Sequence, residues 1–553
     1  MKKLITLVLA LTMALSLVAC GKSGGQTKKD VRMSEDGRQV ITVGIQVRAN
    51  VEDMYDNTLT KWLEEQSGYK LEFVTFSLSA SEWRAQVNTM IASGEPLPDV
   101  MIGFGWNEDE RYTYGSEGYL MDLKPYLLGD QCEGFRGRVA NLFGEGFFED
   151  SLRYIESPDG AIYAFPHFSY EASSDIPYHC YINRQWLDNL GLEKPTNWDE
   201  LVAVLRAFKT RDPNGNGKSD EIPAIGLVPP SNTTTGSRAN DMPSWLLNNF
   251  LYLDDSKIFN SENGKIVFPY TTDEYRQGLI ALHDLVEEGL VSSLCWTMST
   301  ESKELEAMWN PVSGTPILGM VTASLKAKMA TDNPLMYQYE GMIPFNYVPS
   351  DKRIPGTTTF ITEYCDDIDA VLRLLNLMNT EDGSMLMSYG EEGVHWEWQE
   401  DDSLAGKGVK RLATFSGGSH KVNWSTSTTA RLLLQEDPNT PYHLIPDPTQ
   451  EWNNALTART RKYVAEYHEA MKTRTPDEVV YKLLYNEAEM EAIGNTKTDI
   501  LIYMKESRAK FANGLLDPRS DDDWNEYLRI LDDMGLQNYI AQTQSAWDRF
   551  NGR

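Results

Sequence analysis

Strand and helix patterns alternate over residues 40–103 of this chain. The strand patterns are Val40–Val47, Leu71–Phe76 and Pro98–Gly103, and each contains β-branched or aromatic residues. Helical spacing of apolar residues fills the two intervals, and each helical pattern is followed by a glycine that can end a helix. This order predicts an α/β fold with an open sheet, in which ligands bind beyond the carboxyl ends of the strands.

The length and charge of the chain limit what it can do. With 553 residues it exceeds what one hydrophobic core usually spans, so about two or three domains are expected. Asp and Glu number 81 against 51 Lys and Arg, which gives a formal charge of −30. So acidic a protein is repelled by nucleic-acid phosphates and by anionic membrane surfaces, and both are disfavoured as partners. A local basic pocket for an anionic substrate remains compatible with this charge.

The N-terminus has the order of segments found in bacterial export signals. Two lysines precede an apolar run that ends in Leu-Val-Ala-Cys-Gly at residues 17–21, which resembles a bacterial lipobox. The pattern predicts a signal peptide over residues 1–19, lipid modification of Cys20 that includes palmitate, and a flexible tether over residues 20–38. We therefore expect a lipoprotein on the extracellular face of the cell membrane. The alternative is an ordinary signal peptide, or a short anchor, with an incidental cysteine.

One stretch, residues 212–223, has oxygen-bearing side chains at the spacing of a calcium loop. It begins as D-x-N-x-N-G, like an EF-hand loop, and Gly217 permits a sharp turn. An EF-hand loop carries a bidentate glutamate at position 12, whereas this stretch has Pro223, so the acidic pair before it must close the site. The predicted Ca2+ ligands are the side chains of Asp212, Asn214, Asn216, Asp220 and Glu221 and the backbone carbonyl of Lys218.

A solvated turn is the alternative for this stretch, since Asn, Asp and Gly are also the commonest turn residues. The stretch follows an amphipathic helix that begins at a predicted capping box, Thr196–Asp199, and precedes a strand-like run from Ile222. No aromatic cluster lies beside it in the sequence. A bound ion is therefore expected to be structural and to join a helix to the next strand.

Beyond Cys20, four cysteines lie at scattered positions without a C-x-x-C pair, which disfavours a zinc site. They are Cys132, Cys180, Cys295 and Cys365. Their spacing in an extracellular protein is compatible both with one or two disulfides and with buried free thiols.

Motifs spread over nearly all of the chain after the signal peptide resemble those of one family. They are Gly94–Val100, Asn183–Gly191 with Pro195–Leu201, the loop at 212–223, Tyr389–Trp396 (YGEEGVHW), and Phe511–Gly514 with Trp524–Tyr527. On these residues the chain is similar to family 1 of the extracellular solute-binding proteins, lipoproteins of ABC sugar importers that include the alginate-oligosaccharide binders. The loop resembles the Ca2+ loop of the alginate binders at the same six positions.

The resemblance implies a periplasmic-binding-protein-like type II fold, with two α/β lobes joined by a hinge and a ligand cleft between them. The chain is expected to cross between lobes near 166–172, 345–358 and 425. One lobe would hold residues 39–168 with about 355–425, and the other residues 169–354 with about 426–553, including the calcium loop. The implied partners are a carbohydrate, in particular an oligosaccharide, and ABC permease subunits. The protein would act as a monomer and not as an enzyme.

Sugar binding needs flat apolar faces for C–H surfaces and polar groups for hydroxyls. With 14 Trp and 27 Tyr the chain has many candidates, most of which we expect in the core. Position favours five residues. Arg48 and Asn50 follow the first strand, Trp106 follows the third, Trp245 begins a segment after a Thr/Ser/Gly-rich stretch, and Trp396 lies in the YGEEGVHW motif.

Two other classes of protein stay open on the sequence. A secreted glycoside hydrolase needs two carboxylates across the scissile bond, and 81 acidic residues cannot exclude such a pair, although none stands out. The sequence contains no H-E-x-x-H, G-x-S-x-G or P-loop motif, so it lacks the usual signatures of metal hydrolases, serine hydrolases and NTPases. A peptide-binding or adhesion lipoprotein is the other alternative.

Overall fold

The computed structural model describes residues 31–46, 48–49, 51–171, 175–228, 238–298, 308, 317–322, 338–351, 354–403, 405–412, 421–424, 432–435, 440–445 and 451–552. Two larger β-sheets flanked by helices make up the α/β fold predicted from residues 40–103. The predicted lipidation site Cys20, most of the tether and Asn50 lie outside the described residues.

The first three strands and the two helices between them lie where the sequence patterns predict, with ends shifted by up to three residues. The strands are, in chain order, β1 (Val40–Gln46), β2 (Lys70–Phe76), β3 (Val100–Ile102), β4 (Phe165–Glu171), β5 (Cys180–Asn183), β6 (Ile222–Ala224), β7 (Asn260–Glu262), β8 (Lys265–Val267), β9 (Leu318–Thr322), β10 (Tyr339–Met342), β11 (Gly356–Ile361), β12 (Trp396–Glu400), β13 (Lys407–Arg411) and β14 (Leu432–Gln435).

Several helices begin at an asparagine whose side chain caps the first turn. Asn57 accepts from the backbone N–H of Leu59 at 3.2 Å, and Asn197 accepts from that of Glu200 at 3.0 Å. The helices are α1 (Thr58–Ser67), α2 (Ala80–Ser93), α3 (Glu108–Ser116), α4 (Lys124–Leu128), α5 (Glu133–Phe143), α6 (Phe147–Leu152), α7 (Arg184–Leu190), α8 (Trp198–Thr210), α9 (Met242–Leu247), α10 (Asp273–Glu287), α11 (Ile368–Met378), α12 (Glu381–Tyr389), α13 (Glu451–Arg474), α14 (Glu487–Ile493), α15 (Thr496–Ala512), α16 (Asp521–Asp533) and α17 (Leu536–Phe550).

The cap of α8 corrects one detail of the sequence analysis. The predicted capping box placed Thr196 at the cap, whereas Asn197 holds that position. The Thr196 hydroxyl instead donates to the Glu200 carboxylate at 2.8 Å, so the threonine braces the first turn from outside the helix.

The larger sheet has the strand order β14-β4-β11-β3-β1-β2. β1 pairs in parallel with β2 and with β3, while β11 runs antiparallel between β3 and β4. β1 is buried over six of its seven residues, because helices cover both faces of the sheet. One face carries a cluster built on α1, α5, α6 and α11, and the other packs on α2 and the aromatic residues near β3. This sheet and its helices form the first lobe.

The smaller sheet has the order β10-β5-β9-β6, in which β5 runs antiparallel to both neighbours and β6 is parallel to β9. Its core contains the amphipathic face of α8, whose buried residues are Leu201, Val204, Leu205 and Phe208. A second cluster joins α10 to the C-terminal helices α15, α16 and α17. These elements form the second lobe.

The chain passes between the lobes three times. β4 ends at Glu171 and Ile176 packs in a second-lobe cluster; the next passage lies between Asp351 and Gly356. Gly356 starts β11 opposite His167, where a Cβ would come within 1.8 Å of the imidazole, so the close approach requires glycine.

The third passage, expected near residue 425, lies later in the chain. β14 (Leu432–Gln435) pairs in parallel with β4 in the first sheet, and Ile445 still bonds to Val409 of the same lobe. Tyr463 of α13 packs against Gly341 in the second lobe. β14, which lies beyond residue 425, extends the first lobe.

Candidate functional site

The two sheets face each other through one edge each. β4 leaves the first sheet at its carboxyl end and leads to the amino end of β5, and β10 leads from its carboxyl end to the amino end of β11. β1, β2 and β3 run in the same direction as β4, while β6 and β9 run in the same direction as β10. The carboxyl ends of these strands therefore lie on the facing edges, where open α/β sheets bind ligands.

Two nitrogen donors at the edge of the first sheet have no hydrogen-bond partner in the part of the chain that the structure describes. Arg48 follows β1 and is half-buried, and its Nε is shielded from solvent. Trp106 follows β3, and its Nε1 is also buried and unpaired. Backbone N–H groups of Gly103 and Phe104 donate to the Thr358 carbonyl at 2.8 and 3.0 Å, which fixes the turn that carries Trp106. Buried donors are nearly always paired, so two at one edge indicate a place for acceptor oxygens.

The edge of the second sheet repeats this pattern. Thr322 is the last residue of β9 and is fully buried, yet its Oγ1 has no partner. Trp296 is partly exposed and its Nε1 is unpaired. The N–H of Val228, just beyond β6, donates to the Cys295 carbonyl at 2.9 Å, so Trp296 lies beside the carboxyl end of β6. Residues 229–237, 299–307 and 323–337 lie outside the described residues.

Sequence reasoning missed both Trp296 and Thr322. Trp296 follows no strand; it ends a single 3₁₀ turn, Ser293–Trp296, and reaches the edge through a pairing with a residue almost seventy positions earlier. A local pattern carries no information about such a contact. Thr322 has no local sequence signal that distinguishes it from the other residues of β9.

The three tryptophans predicted to stack on sugar lie in three separate apolar clusters. Trp106 is 4% exposed and its ring lies 4.7 Å from that of Phe360. Trp245 is fully buried and donates its Nε1 to the Met342 carbonyl at 3.3 Å. Trp396 donates to the Gly390 carbonyl at 2.9 Å. The structure does not bring their faces together, and of the three Trp106 alone has its indole nitrogen unpaired.

The predicted calcium loop joins α8 to β6 and is held by its own side chains. Asp212 accepts from the backbone N–H groups of Asn216 at 3.0 Å and Gly217 at 2.9 Å. Asn216 in turn donates to Asp220 at 3.0 Å and accepts from the N–H of Lys218 at 2.8 Å. Asp212 has a φ of 45° and Gly217 one of 71°, both in the left-handed region, so the chain coils tightly around its oxygen atoms.

The electrostatics of the loop fit a hard cation. Burial raises the pKa of Glu221 above its ordinary value, and the nearby charges of Asp220 and Asp212 raise it further. Glu221 Oε1 is buried without a hydrogen-bond partner. Acidic groups that disfavour each other's charge, together with amide and backbone oxygens, form the donor set that Ca2+ prefers. The chemistry of the residues present therefore fits the ion.

Another group of potential metal ligands lies on α10. In the described part of the chain, His283, Asp284 and Glu287 have ligand atoms within 4.8 Å of one another. Asp284 is paired with Arg519 at 2.5 Å, so this group already has its counter-ion. The loop carboxylates are more widely spaced, as expected where amide and backbone oxygens complete the shell.

Residues 48–385, more than half of the chain, match the family model for bacterial extracellular solute-binding proteins. The chain belongs to this family. The predicted resemblance is thus confirmed, and the two sheets with their crossovers are the type II periplasmic-binding-protein-like fold that it implied.

Known relatives match this solute-binding protein over nearly its whole length. The fructooligosaccharide ABC transporter substrate-binding protein FusA of Streptococcus pneumoniae is 21% identical over 97% of this chain and 96% of its own. A solved extracellular solute-binding protein from Bifidobacterium longum subsp. infantis is 24% identical with a TM-score of 0.73, covering 94% of this chain and 100% of its own. A human-milk-oligosaccharide-binding protein of the same organism is 22% identical with a TM-score of 0.72, covering 93% of this chain and 99% of its own. At these identities the structures show the fold.

Two further solved structures of the same fold concern calcium. One is an EF-hand mutant of S. pneumoniae FusA with fructo-nystose, at 18% identity and a TM-score of 0.62 over 93% of this chain and 99% of that one. The other is the alginate-binding protein AlgQ2 without calcium ion. It is 19% identical with a TM-score of 0.57, covering 92% of this chain and 98% of its own.

Beyond Cys20, the cysteines at 132, 180, 295 and 365 are buried thiols and form no disulfide, so the thiol alternative is the correct one. Burial raises the pKa of the Cys132 thiol to about 11, which keeps it protonated and unreactive at neutral pH. Among the described helices, none combines the length and the apolarity that a membrane span requires.

Proposed function

We propose that this solute-binding protein is a lipoprotein that captures an oligosaccharide between its lobes and delivers it to an ABC import permease. The observation that carries the proposal is the row of unpaired donors on the two facing sheet edges: Arg48 and Trp106 on one side, Trp296 and Thr322 on the other. A ligand rich in ether and hydroxyl oxygens satisfies donors from both sides at once. The match to FusA over nearly the full length of both chains supports a sugar as that ligand.

Capture follows from having donors on both lobes. A ligand held by one lobe alone would not favour closure, because a ligand shifts an equilibrium only by its differential affinity for the two states. Arg48 is the best placed described residue for a uronate or an acceptor hydroxyl, and we retain Asn50 beside it as a proposed contact. The partly exposed ring of Trp296 supplies an apolar face for C–H groups.

Calcium enters the proposal as a structural ion. Asp212, Asn214, Asn216, Asp220, Glu221 and the carbonyl of Lys218 would hold it, and the bound cation would neutralise the charge of the acidic side chains. The loop joins α8 to β6 within the second lobe, whereas the donors of the cleft lie at the carboxyl ends of strands. The residues of the loop therefore fix the course of the chain between these two elements and take no part in sugar recognition.

The remaining parts of the proposal rest on the sequence of the N-terminus and on family membership. Cys20 carries the lipid, the tether spans the distance to β1, and the protein works as a monomer at the extracellular face of the membrane. We assign it no enzymatic activity, since capture and release of an intact sugar is what a solute-binding protein contributes to import.

The test is a calorimetric titration against fructo-, manno-, xylo- and uronate oligosaccharides, with chromatography of the sugar afterwards. We expect saturable binding of one class and recovery of the intact sugar. Arg48→Gln should weaken binding at least tenfold if its ligand is a uronate and less if it is neutral, since hydrogen bonds to charged groups are about twice as strong. Trp296→Phe keeps the ring but removes the N–H donor, and about a fivefold loss is expected.

Arg206→Gln is the matched control, because Arg206 lies on the outer side of α8, paired with Glu288. It should bind as the unaltered protein does. Absence of saturable binding across the panel, or release of shorter sugars, would overturn the proposal; the second result would favour a glycoside hydrolase.

A further inference from the structure

The lobes also touch each other through side chains beside the facing edges. The contact joins the start of α3 and the end of α6 in the first lobe to the segment before α14 and the end of α17 in the second. Arg153 donates to the Phe550 carbonyl at 2.7 Å, and its guanidinium lies 4.6 Å from the centre of the Phe550 ring. A cavity of about 220 Å3 lies within this contact and is lined by residues of both lobes, among them Tyr154 and Lys482.

One ion pair crosses this contact. Lys482 Nζ lies 2.8 Å from Glu108 Oε1, with the lysine side chain 20% exposed and the glutamate 45% exposed. Arg111, one turn further along α3, is buried and lies 4.0 Å from the same carboxylate. The glutamate therefore has one cationic neighbour from its own lobe and one from the other.

The first turn of α3 holds Glu108 in a fixed position. Asn107 accepts from the N–H of Glu110 at 2.8 Å, and the Glu110 carboxylate accepts from the N–H of Asn107 at 2.8 Å, which forms a capping box. Arg84 binds the same Glu110 carboxylate at 2.9 Å. The turn is therefore held within the first lobe, and a separation of the lobes at this contact would break the pair.

The electrostatics agree with a partly desolvated pair. Burial alone would raise the pKa of Glu108, but attraction to Lys482 and Arg111 outweighs it and lowers the pKa to about 2. Burial lowers the pKa of Lys482, although Glu108 opposes this. Opening the lobes would return Lys482 to water and leave Glu108 with Arg111 alone.

We propose that Glu108 and Lys482 set the affinity for the transported ligand without touching it, because their ion pair forms when the lobes close and is lost when they open. This inference rests on the proposed function, in that closure is taken to accompany capture. A contact present in one state alone shifts the equilibrium between the states, and the apparent dissociation constant shifts with it. The pair thus acts on dissociation, since a closed state must open before ligand leaves.

The first experiment is a double-mutant cycle with Glu108→Gln, Lys482→Met and the double variant. Each single variant should raise the dissociation constant of the sugar identified above about three- to tenfold, through faster dissociation, as expected for a partly exposed pair. The double variant should be no weaker than the worse single one. A role confined to stability would instead lower the melting temperature in parallel with affinity.

The matched control is the pair Arg206–Glu288, which lies wholly within the second lobe. Arg206→Met and Glu288→Gln should leave the dissociation constant unchanged. Additive effects of Glu108→Gln and Lys482→Met on the dissociation constant, or an unchanged dissociation constant in both, would overturn the proposal.

The second experiment needs no sugar and separates this proposal from the proposed function. Spin labels at Leu128→Cys and Leu515→Cys, exposed positions on different lobes, report the distance between the lobes. In the ligand-free protein, Lys482→Met should move the distance distribution toward longer values, and Arg206→Met should not. An unchanged distribution would exclude the pair as a closing contact, even if sugar binding is confirmed. A shifted distance distribution, together with no binding of any sugar in the panel, would support the ion pair as a closing contact and contradict the proposed function.

Discussion

Arg508 in the second lobe and Asp99 in the first are both buried ions, but their surroundings differ. Arg508 is 1% exposed and binds Asp255 at 2.8 Å, Asp241 at 3.2 Å and the Ser244 hydroxyl at 2.8 Å. Burial disfavours the charge of Asp255, yet attraction to Arg508 and Lys505 outweighs this and lowers its pKa. The whole group is closed off from water, so each charge depends on the others.

Asp99 is satisfied mainly by neutral donors. Its carboxylate accepts from the N–H and the hydroxyl of Thr42, both at 2.7 Å, and from Arg32 at 2.9 Å. The Arg32 side chain is 47% exposed, so water can replace it. The first lobe has a seven-residue parallel ladder between β1 and β2, whereas strands of the second sheet have three to five residues. We infer that charged groups and the calcium loop stabilise the lobe whose sheet is short.

The largest expected effect comes from removing each lobe's arginine. Arg508→Met removes the ion pairs of Arg508 with the buried carboxylates of Asp241 and Asp255, and should lower the free energy of unfolding of the second lobe by about 3–5 kcal/mol. Arg32→Met leaves Asp99 with two hydrogen bonds and water, and should cost about 1 kcal/mol. Denaturant titration followed by lobe-specific hydrogen exchange measures both. Equal losses would show that burial of the carboxylate, and not its dependence on arginine, sets the difference.

A smaller effect is expected at the second charged group of the second lobe, where Arg238 and Lys257 bind Asp254 and Asp351. Burial opposes the charge of Asp254, but Lys257 and Arg238 hold its pKa below the ordinary value of 3.8. A depressed pKa stabilises the fold above 3.8, and this stabilisation is lost as pH falls below it. Asp254→Asn should cost about 3 kcal/mol at pH 7 and flatten the acid side of the stability profile.

Melting temperatures from pH 7 to pH 3 test this, with Asp99→Asn as the control in the first lobe. Should the Asp254 variant lose stability in acid as steeply as the unaltered protein, the acid sensitivity of the second lobe would have another source.

Calcium removal should act on the second lobe alone. A ligand at 100 times its dissociation constant stabilises a fold by about 2.7 kcal/mol. Chelation should therefore lower the melting temperature of the second lobe by a few degrees. Sugar affinity should change little while the protein stays folded. Asp212→Ala should reproduce the effect and make the protein insensitive to chelator. Loss of sugar binding without loss of stability would instead move the loop into the binding site.

The smallest effect is expected for the exposed pair Arg206–Glu288, which joins α8 to α10 at 2.6 Å. Exposed ion pairs are screened by water and salt and contribute little. Arg206→Ala should leave the melting temperature of the second lobe unchanged within error in 0.15 M salt. A clear decrease would mean that charge stabilises this lobe at its surface as well as inside it.

Much of the fold is predictable from the sequence because the patterns that indicate it are local. The alternation over residues 40–103 and the helix ends at Gly68 and Gly94 follow from backbone preferences of nearby residues. Family membership followed from motifs of the same kind. β14 and the third crossover could not be predicted in this way, since four residues acquire their partner, β4, from more than 260 positions away.

The candidate site was predictable only in part for a related reason. Arg48 is predicted at the site because it directly follows a predicted strand, and the loop at Asp212 because its spacing is itself the signal; both assignments stay predictions. Trp245 was misplaced by its polar sequence neighbours, although its indole lies in the core and bonds to Met342. Whether a tryptophan packs inside or faces a cleft depends on the tertiary structure around it, which composition does not reveal.

The unpaired groups on the facing edges have a consequence for selectivity. Arg48 Nε, Trp106 Nε1 and Trp296 Nε1 can donate a hydrogen bond but cannot accept one. If the sugar contacts these three donors as proposed, each would bind a lone pair of the sugar and would not distinguish a hydroxyl from an ether oxygen. Replacing the matching hydroxyl of the sugar by O-methyl would keep the interaction where space permits, whereas the deoxy sugar would lose it. Glycosidic linkage through such an oxygen is equally compatible, which suits a site for chains over a site for single sugars.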